Sequence, residues 1–143
     1  MTDLFYIDSS VAAHFVAQSS PAAVEWFNAV IEEGGVVASA QLLRVEVTRY
    51  LLRTGQSVAD ANLFLESLAI TPVDNDLMLD AENISVYLKT LDTIHLAAAL
   101  RLKPALTALV SDDQNLQRAA FELGLPIFNP LDRYHPSVTG YNN

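Results

Sequence analysis

The chain has 143 residues, 51% of them apolar, which suits one folded domain spanning 1–143 with a real core and argues against disorder. It has no cysteine, which excludes disulfides, thiolate zinc centres and cysteine nucleophiles. Seventeen acids face eight bases, a formal net charge of −9, so any grip on nucleic acid must come from a local basic cluster or from metal ions on the acids.

No apolar run approaches the roughly 20 residues that a membrane helix needs. The start of the chain, Met1 to Ile7, carries Asp3 and lacks the basic stretch of a signal peptide. A cytoplasmic protein is expected. Its acidic surface suits a basic protein partner.

The segments alternate between strand and helix patterns, the signature of an α/β fold with a parallel sheet. Leu4 to Ile7 reads as a short buried strand. Ser9 and Ser10 can cap the helix after it. Ser20-Pro21 opens a second helix, a cap followed by proline at the first helical position, and it stops at Gly34-Gly35. Val36 to Ala38 is a second strand. Gln41 to Arg53 is a helix ended by Gly55. Another helix runs from Ser57, as cap with Asp60 three positions on, to Leu68. Ala69 to Val73 is a short strand interrupted by Pro72, and a helix follows from Asp76 to Leu88. Asp92 to Leu102 is a strong apolar helix with Asp92 at its cap. Leu106 to Val110 is a strand, and Asp113 to Leu123 is a helix closed by Gly124. Pro126 to Phe128 is the last strand. The tail, 129–143, is polar, punctuated by Pro and Gly, and expected to be irregular.

Parallel sheets bind ligands at the C-terminal ends of their strands. Asp8 directly follows the first strand, and Asp112-Asp113 follow the strand ending at Val110. Asp92 opens a helix that can face the same mouth. Each has an ordinary reading as a turn or cap aspartate. Glu46 is less ordinary. At roughly 100° per residue it lies within about 60° of Leu42, Leu43 and Tyr50, and a carboxylate bordering an apolar stripe is costly unless paired or metal-bound. An edge ion pair with Arg49 or Arg53 is the competing account. His95, three residues after Asp92, reads as a packing or hydrogen-bonding residue outside the site. Four carboxylates converging on one mouth repel one another, and a divalent cation would relieve that repulsion. Oxygen-only donors favour Mg²⁺ or Mn²⁺, one or two ions, which activate water and stabilise charge on a phosphate.

The segments YIDSSV, LLRVEVTRYL, LDTIHLAAAL and VSDDQNLQRAAFELGLPI occur in this order. Together they resemble the four acidic motifs of PIN domains, specifically of VapC-type toxins, from Leu4 to about Phe128. The resemblance implies a three-layer fold with a central parallel sheet of four to five strands and helices on both faces. It implies a Mg²⁺- or Mn²⁺-dependent endoribonuclease acting on RNA, a homodimer, and inhibition by a cognate VapB antitoxin. Asp8, Glu46 and Asp92 match the first three acids. Asp113 matches the fourth, with Ser111 where the family often has threonine and Asp112 as the alternative. Arg44, Arg49 and Arg53 are candidates for contacts to RNA backbone or to antitoxin acids, beside a plain solubilising role.

Two other readings stay open. A PIN-like scaffold could bind a partner without cutting. A receiver-type phospho-accepting domain is also α/β and acidic at its mouth, but it needs an acid pair after the first strand and a lysine ending a late one. The first strand here ends in one acid, and Lys103-Pro104 precedes a strand. A haloacid-dehalogenase-type phosphatase is disfavoured because no second Asp stands two positions after Asp8.

Overall fold

A computed structural model describes residues 2–133. Its centre is a five-stranded, wholly parallel sheet in the order β3-β2-β1-β4-β5. The strands are β1 (Leu4–Ile7), β2 (Val36–Ala40), β3 (Ala69–Thr71), β4 (Ala108–Val110) and β5 (Ile127–Phe128). The helices are α1 (Ser9–Val16), α2 (Pro21–Glu32), α3 (Leu42–Arg53), α4 (Asn62–Glu66), α5 (Asn75–Glu82), α6 (Thr90–Arg101), α7 (Gln114–Glu122) and α8 (Pro130–Arg133). Among the described residues no helix is long and apolar enough to cross a membrane.

Side chains on successive strand residues point to opposite faces, and this alternation splits the core in two. Phe5, Ile7, Val37, Ala108, Val110 and Phe128 face the layer built by α1, α2, α3 and α4. That layer is aromatic: Phe5 meets Trp26 edge-on at 5.3 Å, and Phe15, Phe27 and Phe64 form a triangle with centroids 4.6 to 5.2 Å apart. Tyr6 and Leu109 face the other layer, built by α5, α6 and α7. That second core is aliphatic and rich in alanine, with Ala97, Ala98, Ala99, Ala119 and Ala120 all buried. Six consecutive residues of α6, Ile94 to Ala99, are buried, as an all-round apolar helix requires.

Several boundaries depart from the sequence expectation. The helix cap after β1 is Asp8, not Ser9 or Ser10, because the Asp8 carboxylate accepts from the Ser10 and Val11 amides. Ser57 does not take the cap position: Val58 precedes a 3₁₀ turn at Ala59–Ala61, which leads into the short α4. Asp74 caps α5, which ends at Glu82, well short of Leu88. Asn83, a weak helix former, takes the α5 C-cap, and the chain then runs irregularly until buried Leu88 anchors it. α6 begins at Thr90 with extended Lys89 as its cap, so Asp92 sits inside the first turn. In the tail, Pro130–Arg133 forms a helical turn with Asn129 accepting from the Leu131 amide at 3.0 Å. Residues 134–143 lie outside the described residues.

The interior strand β4 carries the fully buried Leu109, whereas Leu63 on α4 is 82% exposed. Leu109→Ala should lower the unfolding free energy by about 2–5 kcal/mol, and Leu63→Ala should leave it within about 0.5 kcal/mol. Urea unfolding followed by circular dichroism checks both, and a larger loss for Leu63→Ala would show that the layer assignment is wrong.

Candidate active site

The chain runs outward from β1 to β2 and β3 on one side, then returns to β4 on the other side of β1. The loops after β1 and β4 therefore part, and a crevice opens at the strands' C-terminal ends. Asp8 ends β1, and Ser111, Asp112 and Asp113 follow β4. α3 brings Glu46 from one helical layer, and α6 brings Asp92 and His95 from the other.

Asp8 is only 3% exposed, and both its oxygens are engaged. Oδ1 accepts from the Ser10 amide (3.1 Å) and the Ser10 hydroxyl (2.7 Å). Oδ2 accepts from the Ser111 hydroxyl at 2.6 Å. Those two hydroxyls accept in turn from the loop after β4, Ser10 Oγ from the Asp112 amide (2.8 Å) and Ser111 Oγ from the Asp113 amide (3.0 Å). Burial pushes the Asp8 carboxyl above the usual carboxylate range, against the pull of the Ser111 and Ser10 hydrogen bonds and of nearby His95.

Glu46 also has both oxygens held. Oε2 accepts from the Ser9 hydroxyl at 3.2 Å, and Oε1 lies 2.7 Å from His95 Nε2. His95 is fully buried, and its Nδ1 lies 2.7 Å from the Tyr6 hydroxyl. The histidine is thus a hydrogen-bonding residue, as its sequence context suggests, and one of its partners is Glu46, a candidate acid. The available signal was its spacing: on a helix, residues three apart share a face, so an acid at 92 predicts a neighbour at 95. The edge ion pair weighed for Glu46 is absent among the described residues, where its close partner is His95 and neither Arg49 nor Arg53.

Asp92 is half-buried in the first turn of α6. Burial raises its carboxyl most, followed by the negative charges of Asp113 and Glu46, while His95 and Lys89 pull it down. Asp113 caps α7, its Oδ1 accepting from the Leu116 amide at 2.9 Å. Asp112 turns the other way and accepts from Asn129 Nδ2 at 2.8 Å. Of the two adjacent acids, Asp113 is the one whose charge acts on Asp92.

Two clefts flank this centre. The wider, about 610 Å³, is lined by Ser9, Ser10, His14, Glu46, Asp112 and the α3 bases Arg49 and Arg53 among others. The narrower, about 260 Å³, is lined by Asp92 and Asp113 with Tyr87, Leu88, Lys89, Asn115 and Arg118. Arg44 is exposed and lines neither. Lys89 and Arg118 were invisible as a cluster in the sequence because 29 positions separate them and only the fold joins them. Lys103 is far from the role a receiver domain would give it, since its Nζ donates to the Leu123 carbonyl at the end of α7.

Among the described residues, no three acid or histidine side chains close onto a single coordination point. The fit to a divalent cation is one of charge and donor type. The candidate acids and the serines beside them offer carboxylate and hydroxyl oxygens, and burial together with the charges of Asp113 and Glu46 already raises Asp92. Hard oxygen-seeking ions meet both conditions.

Residues 5–122 match the model of the PIN domain family. The chain is 34% identical over 133 residues to a protein of Mycobacterium tuberculosis (strain CDC 1551 / Oshkosh) named Ribonuclease VapC47, covering 89% of this chain and 97% of that one. It is 37% identical over 94 residues to Ribonuclease VapC46 of M. tuberculosis (strain ATCC 25618 / H37Rv), covering 64% and 72%. Among solved structures, VapBC2 from Rickettsia felis bound to a promoter DNA fragment contains a chain of similar fold, with a TM-score of 0.67 at 11% identity over 88% of this chain and 98% of that one. A chain in the structure of FitAB bound to the IR36 DNA fragment matches with a TM-score of 0.58 at 17% identity over 92% and 99%.

The raised Asp8 carboxyl sets a pH dependence. A carboxyl that binds its proton more tightly in the folded state stabilises the fold when protonated, so stability is lost as pH rises through the folded value. In EDTA, wild-type thermal stability should fall from about pH 4 to about pH 8 more steeply than that of Asp8→Asn, and the variant should melt higher at neutral pH. Thermal melts of both proteins across that range check this. A variant that melts lower throughout would mean that the hydrogen bonds outweigh burial.

Proposed function

The chain belongs to the PIN-domain family, of the VapC type, and from that membership and the carboxylate centre we propose that it is a metal-dependent endoribonuclease, the toxin of a toxin–antitoxin pair. The observation that carries the chemistry is that acids from four separate segments gather beside two adjoining clefts: Glu46 lines one, Asp92 and Asp113 line the other, buried Asp8 is tied to the loop before Asp113, and burial and like charge raise Asp92. These four acids would hold one or two Mg²⁺ or Mn²⁺ ions. The ion, when bound, supplies positive charge against the phosphate and lowers the pKa of a water molecule.

The protein's own residues do the rest. Asp8, fixed by Ser10 and Ser111, provides an immobile anchor. Glu46 lines the wide cleft and orients the attacking water. Arg49 and Arg53 in one cleft and Lys89 and Arg118 in the other take backbone phosphates on either side of the scissile bond. Tyr87, 88% exposed at the rim of the narrow cleft, offers a ring face to an unpaired base. Exposed single-stranded RNA suits such a surface better than an A-form duplex. Attack by water in line needs no 2′-hydroxyl, so the products carry 5′-phosphate and 3′-hydroxyl ends.

The partner in this reading is a VapB-type antitoxin, whose presence over the same mouth would silence the enzyme, and the working form is a homodimer. The acidic net charge is no obstacle once the cations concentrate at the clefts and the acids are neutralised by bound ions. A binding-only scaffold is the second reading, supported by the absence of three converging ligands among the described residues.

Purified, antitoxin-free protein should cut cellular RNA at discrete places with Mg²⁺ or Mn²⁺. EDTA and Asp8→Ala should each abolish the cuts, with ends mapped by ligation. No cutting by folded, metal-supplied protein would leave the scaffold. For RNA bound in Ca²⁺, Lys89→Ala and Arg118→Ala should each flatten the plot of log affinity against log salt by about 0.7, as should Arg49→Ala and Arg53→Ala, while Arg44→Ala should leave the slope unchanged.

A further inference from the structure

His95 is fully buried between Tyr6 and Glu46, with 2.7 Å contacts from each ring nitrogen. We propose that His95 is a positioning residue for Glu46, its ring anchored by the Tyr6 phenol at Nδ1 and donating from Nε2, so that the Glu46 carboxylate is held in one orientation at the mouth of the site.

The proton assignments follow from what each group can do. An ionised carboxylate only accepts, so His95 Nε2 must carry a proton. The other ring nitrogen, Nδ1, lies 2.7 Å from the hydroxyl of Tyr6, itself fully buried on β1, so the ring cannot turn without breaking a contact at each end. A hydrogen bond from Nε2–H to a carboxylate is of the stronger, charge-assisted kind.

The consequence concerns Glu46. Its side chain has three rotatable bonds and is 16% exposed, so an unheld carboxylate would sample several orientations beside the cleft. Ser9 on one oxygen and His95 on the other remove that freedom before any ligand arrives. Outer groups of this kind change metal affinity or activity by about 10–100-fold when removed.

The test uses the full chain. Nitrogen-15 NMR of the histidine rings in metal-free wild type should show His95 protonated on Nε2. A ring that carries no proton on Nε2 overturns the proposal. Tyr6→Phe should shift the His95 ring-nitrogen resonances. Mn²⁺ titration by electron paramagnetic resonance should give affinity about 10-fold weaker for His95→Leu, with part of it restored in His95→Gln, whose amide can still donate to Glu46. In RNA cleavage, kcat should fall by a similar factor while KM stays within about twofold. Unchanged Mn²⁺ affinity in a folded His95→Leu overturns the proposal. If that variant does not fold, the wild-type Nε2 proton and the Tyr6→Phe shift decide it. The proposal rests on the nuclease reading only in counting Glu46 within the site. Wild type that neither binds Mn²⁺ nor cuts RNA would end that reading, whereas wild type that does both, beside unaltered His95 variants, ends this one alone.

Discussion

Everything at the mouth of this fold depends on a carboxylate kept out of water. Asp8 sits at the junction of the two central strands, where burial alone would favour its neutral form. Its oxygens are satisfied by hydroxyls that are themselves held by amides from the far loop, so one side chain ties the end of β1 to the residues after β4. That tie sets where α7 begins, because the amide of its cap residue, Asp113, is bonded to Ser111. The position of Asp113, whose charge adds to burial in raising Asp92, therefore follows from how Asp8 is housed.

Such housing is costly, and the cost is informative. A carboxylate that destabilises the fold by its burial persists in a site where charge is wanted, and functional sites are where local rules are broken. The surroundings follow the same logic at longer range. The chain has eight bases, and Arg49, Arg53, Lys89 and Arg118 border the two clefts beside the acids. In the proposed nuclease these two sets would have separate jobs: the acids would address a cation, and the four bases beside them the polyanion that the cation would meet.

Much of this was legible in the chain itself. Buried strands such as LFYI and ALV announce themselves by apolar runs, and α2 by its Ser-Pro start and Gly-Gly stop. Asp8 and Asp113 stand out in the sequence as acids after strands, Glu46 as an acid bordering an apolar helical face and Asp92 as the acid opening an apolar helix. What escaped was whatever tertiary contact decides. The start of α6 shifted because extended Lys89 is enough to begin a helix without a side-chain cap. α5 was overextended because an amphipathic pattern continued through Ile84 and Leu88, which pack on the second core from an irregular segment. Lys89 and Arg118 meet only across the fold, and His95 gains its partners from β1 and α3, 89 and 49 positions away.

The two held carboxylates differ in a way that matters for how the site keeps its shape. Asp8 is fixed by groups of its own and the adjacent loop, so its position follows from the sheet. Glu46 belongs to a helix of the aromatic core, and its imidazole partner belongs to a helix of the aliphatic core on the opposite face. The sheet separates those cores, and the Glu46–His95 contact spans from one layer to the other at the crevice. Since packed interiors resist displacement, small shifts of α3 against α6 would register at this contact before they disturbed either core. The carboxylate that faces the cleft is thus coupled to the spacing of the two layers, while the buried one is coupled to the sheet, and the geometry between them is set by the fold as a whole.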